Sequence, residues 1–294
     1  MSWLCGGQEV RREYAELHMG VAVRLVLYAP NDSAARAAAR AAYDMIAKLE
    51  DIMSDYRSQS EVRRLTENPG AAVPVSEDLF AVLSRALDLS RRSNGAFDPT
   101  VGPFVELWRR ARAQGRLPAR AALDSAAPRV GWRKIELDSA TRTARLHASG
   151  MRLDLGGIAK GYILDRALEE LRRHGVARAL IQAGGDIVVG DAPPALPGWH
   201  VEAPENDFTL ANSALAVSGD TEQFVIVDGV RYSHVVDPRT GRGLTTRRRA
   251  VVIAPDGITA DGLATALVVL DDTAGAVLLR QYPGVSADVR RVPD

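Results

Sequence analysis

The stretch DLGGIAKGYILD, Asp154 to Asp165, combines an acid, a glycine pair, a lysine and a third glycine at what reads as a strand-to-helix junction. Upstream, Met151, Arg152 and Leu153 alternate apolar and basic side chains. Downstream, Ile163, Leu164, Ala167, Leu168 and Leu171 recur at helical spacing. Gly156, Gly157 and Gly161 therefore fall at a helix start, where unpaired backbone N–H groups and the positive end of the helix dipole favour an anion. Lys160 adds a point charge suited to phosphate. The order of residues excludes two familiar phosphate loops. Lys160 is followed by Gly161 and Tyr162 instead of serine or threonine, so this is no Walker A loop, and the GxGxxG order is absent.

Outward from this junction the chain reads as alternating helices and strands. Val21 to Tyr28 has strand alternation, and Ala34 to Met53 is a helix behind the caps Asn31, Asp32 and Ser33. A second helix runs from about Glu77 to Arg92, with Ser76 as its N-cap and Asn94-Gly95 as its stop. Phe104 to Ala113 is helical, followed by a looser Ala/Pro/Arg region to about Pro128, and Ile135 to Leu146 reads as a hairpin. The helix opened by the glycine motif should end at His174-Gly175, before a strand over Ala179–Gln182 and a glycine turn over 183–186. Strands are expected at Trp199–Ala203, Ala214–Ser218 and Gln223–Val227, with a last apolar helix from about Leu263. No repeat or low-complexity linker interrupts the chain. The expected architecture is α+β: one two-lobed domain over residues 15–290, mixed and antiparallel sheets packed by helices, preceded by an extension over residues 1–14.

Composition narrows the function classes. The chain has 294 residues, and 37 basic side chains balance 37 acidic ones. That argues against a nucleic-acid partner, since the one dense basic run, Arg247-Arg248-Arg249, reads as a solvated loop or strand edge. A single cysteine, Cys5, excludes an internal disulfide framework and a cysteine-rich zinc site. No run approaches the roughly 18 apolar residues that span a bilayer, so stable membrane insertion is not expected. The first twenty residues lack an apolar signal region. As written, the chain is expected to be cytoplasmic, with Leu4-Cys5-Gly6 only superficially like a lipoprotein cleavage site, and an exported form would require a misassigned start.

Four other segments carry more glycine, proline and acid than simple turns need: Ser54–Val62 (SDYRSQSEV), Ser93–Pro103 (SNGAFDPTVGP), Tyr232–Leu244 (YSHVVDPRTGRGL) and Thr259–Leu270 (TADGLATALVVL). Each has an architectural explanation: Asp98-Pro99 and Asp237-Pro238 form turns, Asp261 would cap a helix, and Tyr56 would be an ordinary half-buried aromatic. In this order, together with DLGGIAKGY, the set resembles the ApbE family, the FAD:protein FMN transferases. The resemblance runs from about Met19 to the segment around Pro283-Gly284.

The resemblance implies a T-fold-like ApbE architecture and a Mg2+-dependent transfer of FMN from FAD, through a phosphoester, to a threonine hydroxyl in a flavinylation motif of a partner flavoprotein, with AMP leaving. Mn2+ is the alternative metal. It implies Asp261, Thr265 and the carbonyl of Gly157 as metal ligands; the first two lie four residues apart, which puts both oxygens on one helical face. It implies contacts to FAD from Met19, Tyr56, Ala96, Phe97, Asp98, Asp154 and Lys160, with Tyr56 as a stacking ring. His234 is the candidate general base for the acceptor hydroxyl, and Asp261 shares the catalytic role through the metal. Val21, Thr66, Val217 and Gly262 depart from residues more usual in the family, and so does the absence of an export signal. Two alternatives stay open: water as acceptor, which makes the protein an FAD pyrophosphatase giving FMN and AMP, and a non-catalytic flavin-binding protein.

Overall fold

The computed structural model describes residues 9–219 and 224–292. The readings attached to Cys5, Leu4-Cys5-Gly6 and Gln223 lie outside the described residues. The fold is built on a seven-stranded antiparallel sheet whose strands lie side by side in chain order: Val10–His18, Val21–Ala29, Ala179–Ala183, Asp186–Val189, Ser213–Gly219, Arg248–Ala254 and Ser286–Arg291. All ladders among the described residues are antiparallel, and the parallel contact is an isolated bridge between Val101 and Arg152. The expectation of mixed sheets thus resolves to antiparallel ones.

The first two strands join through Met19-Gly20, with His18 paired to Val21 and φ of 52° and 74° at the two turn residues. Positive φ at both positions is the turn that matches strand twist in a two-residue hairpin. The strand Val10–His18 takes in residues 10–14 of the expected extension, so the boundary at residue 15 falls inside it. Its sequence, VRREYAELH, is charged on both faces because it is an edge strand, and that hides it from a search for apolar alternation.

Period-two burial shows in Val21–Ala29. Val23, Leu25 and Leu27 enter the main core, whereas Val26 enters a second cluster on the opposite face. The main core lies under three helices: α1 (Asp32–Met53), α6 (Ala159–Arg173) and α7 (Gly257–Val269). Between α1 and α6 the chain also forms α2 (Glu61–Glu67), α3 (Glu77–Arg92), α4 (Gly102–Gln114) and α5 (Arg120–Ala126), and α8 (Asp272–Leu279) follows α7. The opposite face of the sheet is covered by the hairpin Trp199–Ala203 and Asn206–Leu210, through Trp199, Val201 and Leu210.

A third cluster, around Phe104, Trp108, Ala111, Val225 and Val236, joins α4 to the hairpin Phe224–Val227 and Val230–Ser233. This is the second lobe. The expected helices α1 and α3 form with the caps read from sequence: the Asn31 and Ser76 side chains accept from the Ala34 and Leu79 N–H groups. The hairpin over Ile135–Asp138 and Thr143–Leu146 forms as expected and gains Val73–Pro74 as a third strand. Helix α7 begins six residues before the expected Leu263, capped by Asp256 through Thr259 N at 2.9 Å, so Asp261 lies inside the helix and is not its cap. Among the described residues no helix is long and apolar enough to cross a membrane.

Candidate active site

Helices α6 and α7 cross at two glycines. A Cβ on Gly161 would lie 2.0 Å from Gly257 O, and one on Gly257 would lie 2.5 Å from Gly161 O, so both positions need a bare backbone. Gly161 therefore serves helix packing, a correction to its expected part in an anion-binding helix start. At the crossing each helix caps the other. Asp165 of α6 accepts from Gly257 N at 2.7 Å and Ile258 N at 3.0 Å, and Asp261 of α7 accepts from Gly161 N at 3.1 Å. The start of α6 is thus occupied differently from the expected phosphate site. Ile158 and Ala159 N–H turn back to Leu155 O, and the anion on Gly161 is the protein's own carboxylate.

Asp261 is 5% exposed. Burial raises its pKa to about 7, reinforced by the nearby Asp186 carboxylate and opposed by Lys160. Lys160 reaches the buried Asp186 directly in an ion pair while its side chain stays 32% exposed on the cleft, so part of the point charge expected from sequence is balanced within the protein. One turn after Asp261, Thr265 sits against Gly157, where an added Cβ would meet Thr265 Oγ1 and Cγ2 at 2.8 Å each. This brings the glycine turn and α7 into van der Waals contact. A carboxylate, a hydroxyl and a backbone carbonyl from these residues form an all-oxygen donor set that fits a hard divalent cation. Among the described residues no group of three His, Cys, Asp or Glu side chains could hold a metal ion, so further ligands would come from substrate phosphate or water.

All of the sequence-nominated residues, Met19, Tyr56, Ala96, Phe97, Asp98, Asp154, Gly157, Lys160, His234, Asp261 and Thr265, line one cleft of about 730 Å3. That volume suits a large ligand. Their parts in it differ. Ala96 and Phe97 are 1% and 4% exposed and belong to the core, so they offer a ligand little surface. Both Asp98 oxygens are taken by neighbouring chain: Oδ1 accepts from Thr100 N at 2.8 Å and Thr100 Oγ1 at 2.6 Å, and Oδ2 from Trp132 N at 2.9 Å. Asp98 shapes the loop instead of presenting a charge, and burial raises its pKa despite those bonds.

Asp154 caps the glycine turn through Gly156 N at 2.9 Å and pairs with Arg109 at 3.3 Å. Its pKa is raised by burial and by Asp55, with Arg109 and His234 opposing, which places the imidazole in its electrostatic reach. His234 is exposed on the cleft wall, between the strands Val230–Ser233 and Val236–Asp237. Tyr56 projects from the loop after α1 and is 76% exposed.

Sequence reasoning missed Asp186, Asp165 and Arg109. Asp186 closes the glycine turn over 183–186, a signal that was present, and Asp165 ends the opening motif. Arg109 is one of three arginines in the α4 stretch WRRAR and nothing local distinguishes it. The basic run is neutralised within the molecule: Arg248 pairs with Asp272 at 2.7 Å and Arg249 with Glu205, with side chains only 11% and 13% exposed.

The profile of the ApbE family matches residues 19–288. The FAD:protein FMN transferase of Treponema pallidum is 34% identical, over 96% of this chain and 86% of that protein. The FAD:protein FMN transferase of Klebsiella pneumoniae is 31% identical, over 93% and 87%. Among solved structures, the ApbE protein of Thermotoga maritima superposes with a TM-score of 0.84 at 28% identity, covering 96% of this chain and 97% of that one. The flavinyl transferase ApbE of Pseudomonas stutzeri, in its apo form, gives 0.83 at 26%, covering 98% and 92%. With the glycine turn, the helix crossing and the cleft they enclose, these matches establish that the chain belongs to the ApbE family.

Proposed function

We propose that this FAD:protein FMN transferase attaches FMN through a phosphoester to a threonine hydroxyl of a partner flavoprotein, using Mg2+ held by Asp261, Thr265 and the Gly157 carbonyl. The observation that carries the reading is the convergence of three oxygen donors, an imidazole and an exposed aromatic ring on one cleft. Bound there, the cation would neutralise charge developing on the pyrophosphate.

The chain's own groups supply the rest. Asp261 is oriented by Gly161 N–H, and Thr265 is held against Gly157, so the donors need little rearrangement to receive a cation. Lys160 balances part of the charge of two buried carboxylates, Asp186 and Asp261. Tyr56 offers a flat face for a ring of the dinucleotide. His234 removes the proton from the acceptor threonine as its oxygen bonds to the phosphorus of the FMN half. The bond from that phosphorus to the bridging oxygen breaks, and AMP leaves with the electron pair.

The test combines protein, FAD and Mg2+ with and without an acceptor domain bearing a threonine flavinylation motif, following AMP and the acceptor's intact mass. A mass gain equal to one FMN phosphoester, lost on chelation of the metal, is expected. AMP released equally with and without acceptor, with no mass gain, would overturn transfer in favour of hydrolysis. Replacing His234 with alanine should lower kcat by about 100-fold or more while FAD still binds. Undiminished transfer by that variant would remove the imidazole from the mechanism.

A further inference from the structure

Arg109, on the inner face of α4, makes three contacts that converge on one end of the cleft. Its Nη1 donates to Asp55 Oδ2 at 2.8 Å and its Nη2 to Asp154 Oδ2 at 3.3 Å. Its guanidinium carbon lies 4.6 Å from the centroid of the Tyr56 ring. The three partners come from two separate loops: Asp55 and Tyr56 follow α1, and Asp154 opens the glycine turn before α6.

A guanidinium is suited to this arrangement because its planar fork reaches two carboxylates while its face stacks on an aromatic ring. One side of Tyr56 is backed by the cation, yet the residue remains 76% exposed, which leaves ring surface turned toward solvent and the cleft. The backbone of that loop is secured locally, with Ser54 Oγ accepting from Tyr56 N and Arg57 N at 3.2 Å each. Arg109 restrains the ring itself from α4.

We propose that Arg109 is a positioning residue that backs Tyr56, holding its ring as a preset platform for a planar ring of FAD. The proposal rests on the reading of the cleft as an FAD site. Platform and ligand contact alike in ground and transition states, so loss of the clamp acts on binding more than on turnover.

The experiment is a double-mutant cycle with the variants Arg109→Ala, Arg109→Lys, Tyr56→Ala and the Arg109→Ala/Tyr56→Ala pair. AMP release at saturating Mg2+ and acceptor gives KM and kcat for FAD, and quenching of flavin fluorescence gives Kd without turnover. Arg109→Ala should raise KM and Kd about five- to tenfold, as expected for a lost cation–π contact and its fork, with kcat within about twofold. Arg109→Lys should fall between, keeping the charge but not the fork. In the Tyr56→Ala background, Arg109→Ala should change either constant by less than about twofold.

Unchanged constants for Arg109→Ala and Arg109→Lys, or the same fold-change in both backgrounds, would overturn the proposal. If Arg109→Ala melts early, the cycle runs with Arg109→Lys in its place. Wild-type protein that quenches flavin but neither releases AMP nor labels acceptor would overturn the transferase reading and leave the binding cycle decisive. Wild-type protein that binds no FAD would overturn both.

Discussion

In the proposed mechanism Asp261 does two jobs with one carboxylate, accepting from Gly161 N–H and serving as a metal donor on the cleft, and substitutions can separate them. Asparagine keeps an oxygen for Gly161 N–H but lacks the charge a hard cation requires. Asp261→Asn should therefore melt within a few degrees of wild type yet lose AMP release by about 100-fold or more; activity that survives would remove Asp261 from the metal. Gly157 gives a second test of the same site. A methyl there meets Thr265 Oγ1 and Cγ2 at 2.8 Å, so Gly157→Ala should displace the hydroxyl and weaken Mg2+ binding about tenfold, read by calorimetry. At this scale much was legible from sequence, because short motifs carry the cleft residues as contiguous strings. What was not legible is how each residue is used. Asp98 reads as a ligand contact but has both oxygens bonded to the protein's own groups, and Lys160 shares its charge with the buried Asp186; only the fold shows which partner arrives. Arg109 was hidden for the same reason, since an arginine's role depends on what lies opposite it.

The reciprocal capping of α6 and α7 ties stability to pH. Burial raises the pKa of Asp165 from the ordinary 3.8 to about 7, even though two N–H donors pull the other way. A group whose folded pKa is raised contributes stability that is fully present below about pH 4 and is lost as pH rises through about 7. Urea denaturation at several pH values should show this loss, with Asp165 contributing up to about 1.4 kcal/mol per pH unit inside that window and Asp261, also raised to about 7, adding to it. Asp165→Asn should reduce that slope by its share, and an unchanged profile would show that the carboxylate titrates normally. The element boundaries reveal where pattern reading fails. Helix α7 is apolar on nearly every side because it is buried between the sheet and neighbouring helices, so it has no stripe from which to locate its start. The edge strand Val10–His18 failed for the opposite reason, having charge on both faces. Helices α1 and α3, with one apolar face and a side-chain cap each, were readable to within two residues of their ends.

Across the whole molecule, the cleft takes residues from both lobes, from Met19 near the first turn of the sheet to Thr265 before its last strand. A ligand that fills it links the lobes and should stabilise the fold by mass action. FAD with Mg2+ at about 100 times Kd should add ~2.7 kcal/mol. At about 2–4 °C per kcal/mol for large domains, the melting point should rise by roughly 5–10 °C. FAD alone should give a smaller shift if the cation is part of the site, and equal shifts would argue against it. The two-lobed form was expected from the absence of any linker. The in-order sheet was not, because the long excursion between the second and third strands gives no local sign that they are neighbours. That order has a consequence for synthesis. A polypeptide leaving the ribosome exposes the Tyr56 loop and the glycine turn long before the helix bearing Asp261 and Thr265. A product that stops before that helix lacks Asp261 and Thr265, two of the three proposed metal donors, and on the proposed mechanism it should release no AMP.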